Sequence, residues 1–122
     1  MKFASLTFLI AGIYGVIVLL PQYFLEQKNG RDFPPPVNHP EYFYGFIGVA
    51  LAWQIAFLII ARNPRQYRLL MIPATLEKAS FGAAVIWLFL LGRVSAFIVG
   101  FAAVDLILGM LFIVSYIKTS GK

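Results

Sequence analysis

Cysteine is absent from the chain, and histidine occurs once in 122 residues. Without thiols there is no disulfide, no thiolate nucleophile and no thiolate metal site. One histidine excludes a bis-histidine haem. It also leaves no Ser-His-acid arrangement, because His39 lies in a polar loop while Ser80 and Asp105 lie deep in apolar runs. His39 with Asp32 or Glu41 has no familiar metal-ligand spacing, so His39 reads as a solvated turn residue. No glycine-rich phosphate loop is present either. Gly45 and Gly48 sit within an apolar run and read as close-packing points, as Trp53 and Trp87 read as packing residues. Charge is also scarce, at 12% against 61% hydrophobic residues. A soluble domain carries about twice that charged fraction. So much apolar surface around so small a core requires lipid as the main solvent. Ten Lys and Arg face five acids, mostly in the gaps between apolar runs. That pattern points to membrane orientation and anionic headgroups, and away from nucleic acid.

What is present is four long apolar runs, which predict an all-α, integral-membrane four-helix bundle forming one domain over residues 1–122. The first, 3–25, is about 34 Å long as a helix. No small-x-small cleavage site follows it, so it reads as a retained helix. The next run, 42–61, is of spanning length. The third is expected over 64–91, with Asn63 as N-cap and Pro64 as first helical residue. Pro73 cannot donate to the carbonyl of Leu69, which predicts a kink or loosening there. Gly92-Arg93 makes a turn, and the fourth run covers 94–117. The segment 26–41 carries Asn29-Gly30, Pro34-Pro35-Pro36 and His39-Pro40, and reads as an extended loop. The short turns make spans two and three, and three and four, antiparallel neighbours. Small residues four apart (Ala11/Gly15, Ala52/Ala56, Ala79/Ala83, Ala96/Gly100) are candidates for close helix approach.

Lys2, Arg62, Arg65, Arg68, Lys118 and Lys122 fall on one side of these spans; Lys28, Arg31 and Arg93 fall on the other. The positive-inside rule therefore predicts a multi-pass protein of the cell (inner) membrane with both termini cytoplasmic and loop 26–41 outside. Tyr23, Phe24, Phe33, Tyr42, Phe43 and Tyr44 form the expected aromatic belt at the outer edge.

Only Glu77, Lys78 and Asp105 are ionisable and well inside the spans. Each unpaired charge there costs roughly 2.5–3.5 kcal/mol on insertion scales. Counting along the helices places Gln54, Glu77, Lys78 and Asp105 near one depth on three spans, with Thr75 and Ser80 able to join. Glu77 and Lys78 point about 100° apart. The preferred pairing is Lys78 with Asp105, which turns Glu77 toward another helix where Gln54 is a candidate donor. The alternative brings Asp105 to Glu77. The cluster reads either as a structural contact or as the lining of a cavity for a headgroup, a small molecule or a proton.

The order of features resembles small bacterial four-helix membrane proteins that mostly lack an assigned function. The resembling stretches are His39-Pro40-Glu41-Tyr42-Phe43-Tyr44-Gly45, Ile72-Pro73-Ala74-Thr75-Leu76-Glu77-Lys78 and Asp105-Leu106-Ile107-Leu108-Gly109. The layout also resembles DoxX-like proteins and the EXPERA group, which has four spans, a Pro-rich first loop with aromatics, and bundle acids that meet a sterol-like ligand. The sterol-isomerase branch uses an intramembrane histidine that this chain lacks, so no catalytic residue carries over. Three functions compete. The one favoured by the missing catalytic constellation and short loops is an accessory or structural subunit, contacting membrane lipids and other membrane subunits or itself. The second is a lipid-phase binder of lipids or small molecules, extending to isomerase-like chemistry, anchored on Gln54, Glu77, Lys78 and Asp105. A transporter or proton path is least favoured. No cofactor is expected.

Overall fold

The computed structural model describes residues 2–120; Met1, Gly121 and Lys122, the last a cation counted for orientation, lie outside the described residues. Five α-helices and two 3-10 segments account for the architecture, with no strand among the described residues. Helix α1 covers Lys2–Leu19 and continues as a 3-10 segment, Leu20–Phe24. Pro21 lacks an amide hydrogen, and the helix tightens where that donor is lost. Helices α3 (Pro40–Arg62), α4 (Met71–Leu90) and α5 (Ala96–Lys118) follow the short α2 (Glu26–Asp32). Four stretches, Lys2–Phe24, Pro40–Arg62, Arg68–Leu90 and Ala96–Lys118, are each 23 residues long and apolar enough to cross a membrane. Each is about 34 Å long, sufficient for a hydrocarbon core of roughly 30 Å. The chain is a multi-pass membrane bundle whose backbone polar groups are satisfied largely within its own helices.

Two boundaries differ from the sequence expectation. Residues 26–32, expected as extended loop, form α2 despite Asn29-Gly30. Glu26 in its first turn, Arg31 in its last and the Lys28–Asp32 ion pair complement the helix. Tertiary contacts add to this: the Tyr44 hydroxyl donates to Glu26 and the Asn29 amide donates to Gln22. The third span does not begin as regular helix at Pro64. Asn63 does accept from the Gln66 amide, at 3.2 Å, as a cap would. The turn then passes through a 3-10 segment, Arg68–Leu70, and α4 starts at Met71. Pro73 thereby falls in the first turn of α4, where the missing donor costs no helix bond. At the other end of α4, Gly92 takes a φ of +73°. The Arg93 amide bonds Leu88 and the Gly92 amide bonds Phe89, a Schellman closure that needs glycine.

Packing is uneven around the ring of helices. α1 packs along α3, α4 packs along α5, and α1 also meets α5, whereas the backbones of α3 and α4 come close only sparsely. Spans two and three are antiparallel neighbours, as expected, but they meet mainly through side chains, Phe57 and Ile60 with Met71 and Ala74. Their short connection joins them at one end, and Phe46 and Phe81 bring them into ring contact farther along, at 6.3 Å. Three of the four small-residue pairs also sit elsewhere than expected. Ala52, Ala83, Ala96 and Gly100 are exposed, and a Cβ on Gly100 would meet nothing within 4 Å. Close approach uses Ala11, Gly12 and Gly15 against Leu58 and Gln54 on α3, and Gly82 and Gly109 between α4 and α5. A Cβ on Gly45 would meet nothing within 4 Å, and one on Gly48 only the Tyr23 hydroxyl, at 3.4 Å. Trp53 packs against the core, while Trp87 is exposed on the outside of the bundle.

The core is concentrated at the end where the Arg62–Arg68 turn lies. Phe8 stacks on Phe112 with centroids 4.1 Å apart, and Phe57 meets both edge-on. Met71, Ala74, Ala4 and Ile60 complete this plug, all essentially inaccessible. Arg68 fastens it: its Nε donates to the Tyr116 carbonyl at 2.9 Å, and its guanidinium lies 3.7 Å over the Tyr116 ring. That carbonyl lies in the last turn of α5, where helix acceptors lack partners and cations are favoured. At the opposite end the bundle is hollow.

Candidate functional site: an interhelical cavity with a charged floor

Above the phenylalanine plug, the four spans enclose a cavity of about 460 Å³. That volume is in the range of pockets that hold small organic molecules. Its walls are mainly apolar and aromatic. Ile47 and Phe46 come from α3, Phe81 from α4, Phe97 and Phe101 from α5, and Val18 from α1. Phe46 and Phe81 face each other at 6.3 Å and are the main ring contact across the sparse α3–α4 seam. Lys28 and Asp32 of α2, with Phe33 just beyond it, frame the far end; Phe33 stacks on Phe97 at 5.6 Å. Tyr23 and Tyr44, from the belt expected in the sequence, stack beside this rim at 6.1 Å. The remaining belt residues divide. Phe43 lines the cavity, whereas Phe24 and Tyr42 are exposed.

The floor is polar, and it gathers the four residues singled out in the sequence. Lys78 is only 3% exposed, and its stem packs beside Gly109. Its Nζ lies 3.5 Å from Asp105 Oδ1 on α5 and 3.8 Å from Glu77 Oε1 on its own helix. The same nitrogen sits 5.2 Å from the Phe57 ring centre, within cation–π range. The lysine therefore does not snorkel to either surface. It lies between two carboxylates and the top of the aromatic plug.

Gln54 is 1% exposed and reaches the floor from α3. It does not donate to Glu77. Its Nε2 bonds the Ala50 carbonyl of the preceding turn at 2.8 Å, and its Oε1 lies against Gly15 of α1. A Cβ at Gly15 would occupy the position of that amide. The outcome is two buried oxygens, Gln54 Oε1 and Glu77 Oε1, without a hydrogen-bond donor. Glu77 Oε1 still has the Lys78 ammonium 3.8 Å away, and Gln54 Oε1 packs against Gly15. Thr75 and Ser80 do not join the cluster. Thr75 donates back to Met71 and Ser80 to Glu77, each through its own helix backbone. Neither is aimed across the bundle, which is the habit of helical hydroxyls.

Counting along the sequence misses the residues that make this floor a site. Tyr14 and Gly15 come from the first span, which carries no charge at that depth. α1 is apolar on every side, so no periodicity marks its inward face. The recurrence of glycine at Gly12 and Gly15 is the one local signal. His39 lies at the start of α3, exposed, stacked on Tyr42 and 3.5 Å from Glu41. Among the described residues no three His, Cys, Asp or Glu side chains converge to hold a metal ion. Set against family models, curated proteins and solved structures, the chain matches none.

Proposed function

We propose that this protein binds a small amphipathic molecule drawn from the membrane, with the polar end of that molecule on the Gln54–Glu77–Lys78–Asp105 floor. The observation that carries the reading is the conjunction of a 460 Å³ apolar cavity with a single polar patch in its lining, where Gln54, Glu77, Lys78 and Asp105 come together. A purely structural ion pair has no need of the space above it, and close packing stabilises membrane bundles better than a void. The sparse α3–α4 seam, closed chiefly by Phe46 and Phe81, is the natural entry from lipid. The excess of Lys and Arg at the plug end supports placement in the cell membrane with the termini and plug on the cytoplasmic side. The cavity then faces the outer half of the bilayer, under α2.

Gentle purification followed by mass spectrometry of retained small molecules and proteins tests this reading. A retained amphiphile that disappears in Ala50→Phe, a change that fills the cavity wall, supports it. A stoichiometric larger membrane complex with no retained small molecule would refute it in favour of an accessory subunit.

A further inference from the structure

We infer that α2, with Phe33 at its end, is a hinged lid over the outer mouth of the cavity, and that its opening admits the ligand. The inference rests on the binding function proposed above for what passes the lid; the lid itself follows from how α2 is held. Lys28, Asn29, Asp32 and Phe33 line the far end of the cavity, so this segment is its cover. The cover is not built into the bundle. No residue of α2 is buried, and its backbone packs along none of the four spans. A helix of seven residues is too short to stand alone in water.

Side chains hold it down at three points. The Asn29 amide donates to Gln22 at the outer end of the first span, at 2.9 Å. The Tyr44 hydroxyl of α3 donates to Glu26 at 2.8 Å. The Phe33 ring stacks on Phe97 of α5 at 5.6 Å. The chain is free to turn at both ends of the segment. Leu25, at φ −120° and ψ 18°, breaks the helical geometry before α2, and residues 33–39 beyond it belong to no helix. Segments with few buried contacts and exposed hydrogen bonds open locally, well below the free energy of global unfolding. The aromatic plug closes the cavity at its other end. Tyr44 is also two residues from Phe46, so one latch and the seam-closing ring share a stretch of α3. Releasing the lid therefore loosens the outer end of the α3–α4 seam as well as the mouth.

The chain has no cysteine, so single thiols can report the opening. Val18→Cys places one on the cavity wall, one turn below Gln22. Ser95→Cys places an exposed one in the α4–α5 turn, and Ser115→Cys a buried one at the plug end. The full chain in phosphatidylcholine nanodiscs is labelled with sulfonatoethyl methanethiosulfonate, a charged reagent that arrives from water. In the native background Val18→Cys should react at least about tenfold more slowly than Ser95→Cys, because it is reached only through the open lid. Tyr44→Phe and Asn29→Ala should each speed labelling of Val18→Cys by about two- to tenfold, since each removes one hydrogen bond. Phe33→Ala should act by a similar factor through the lost ring contact, and the effects should multiply on combination. Gln27→Ala, exposed on α2 and part of no latch, should change nothing. Equal rates at Val18→Cys and Ser95→Cys in the native background would overturn the lid, as would a Val18→Cys rate that the combined latch variants leave unmoved. A matching rise at Ser115→Cys would mean that the whole bundle had loosened, and would overturn it too. None of these outcomes touches the binding function, which stands or falls on the retained amphiphile.

Discussion

Lys78 is the residue whose removal separates a shared charge site from a simple pair. Its nitrogen lies 3.5 Å from one carboxylate and 3.8 Å from another. At an effective dielectric of about 20, each attraction is between about 4 and 5 kcal/mol before desolvation is subtracted. Replacing Asp105 by Leu removes one of them and leaves Lys78 beside Glu77, so the loss of stability should be about 1–2 kcal/mol. Replacing Lys78 by Met removes both and leaves two buried carboxylates facing one another, a loss of about 3–5 kcal/mol. The two changes should not add. In Lys78→Met/Asp105→Leu the repulsion is gone, and the total loss should fall short of the sum by about 1–3 kcal/mol. Glu77→Gln on the Lys78→Met background should recover stability for the same reason. Reversible unfolding in mixed dodecylmaltoside and dodecylsulfate micelles, followed by circular dichroism, provides the measurement. If Asp105→Leu costs as much as Lys78→Met, or if the double variant is additive within about 0.5 kcal/mol, Lys78 does not hold two acids.

The remaining predictions concern packing. Gly15→Ala should cost about 1–3 kcal/mol by driving a methyl into the Gln54 amide, and Gln54→Ala should relieve most of that loss in the double variant. Gly100→Ala, where nothing lies within 4 Å, should change stability by less than about 1 kcal/mol and in the stabilising direction, since alanine is the better helix former. Phe8→Ala should remove about 3–5 kcal/mol because it empties the centre of the aromatic plug, read as a lowered unfolding midpoint in the same micelles. Gly92→Ala should cost about 1–2 kcal/mol through the left-handed φ alone, and amide exchange should localise the loosening to the α4–α5 turn.

Much of the polar floor is legible in the amino-acid sequence. Counting at 1.5 Å per residue brings Gln54, Lys78 and Asp105 to one level because a spanning helix is a nearly straight ruler. The azimuths are less accessible. Adjacent Glu77 and Lys78 have to diverge, but nothing local fixes which of them faces Asp105. Nor does the sequence show that Gln54 bonds within its own helix, at Ala50, and leaves its oxygen to Gly15. The α2 helix escapes a sequence reading for a related reason. Asn29-Gly30 is a turn signal by local propensity, and contacts from Tyr44 and Gln22, distant in the chain, override it.

The sequence alone determined the environment and the number of crossings. Runs of 20 or more apolar residues leave the backbone no way to satisfy its hydrogen bonds in lipid except as helices, whatever their neighbours do. Helices apolar on all sides carry no mark of which face turns inward, so the partners were left undetermined. Side-chain fit decided them. Phe8, Phe57 and Phe112 interlock at one end, Gly15 admits the Gln54 amide in the middle, and the backbones of α3 and α4 approach only sparsely. The cavity is the space that this uneven fit does not fill.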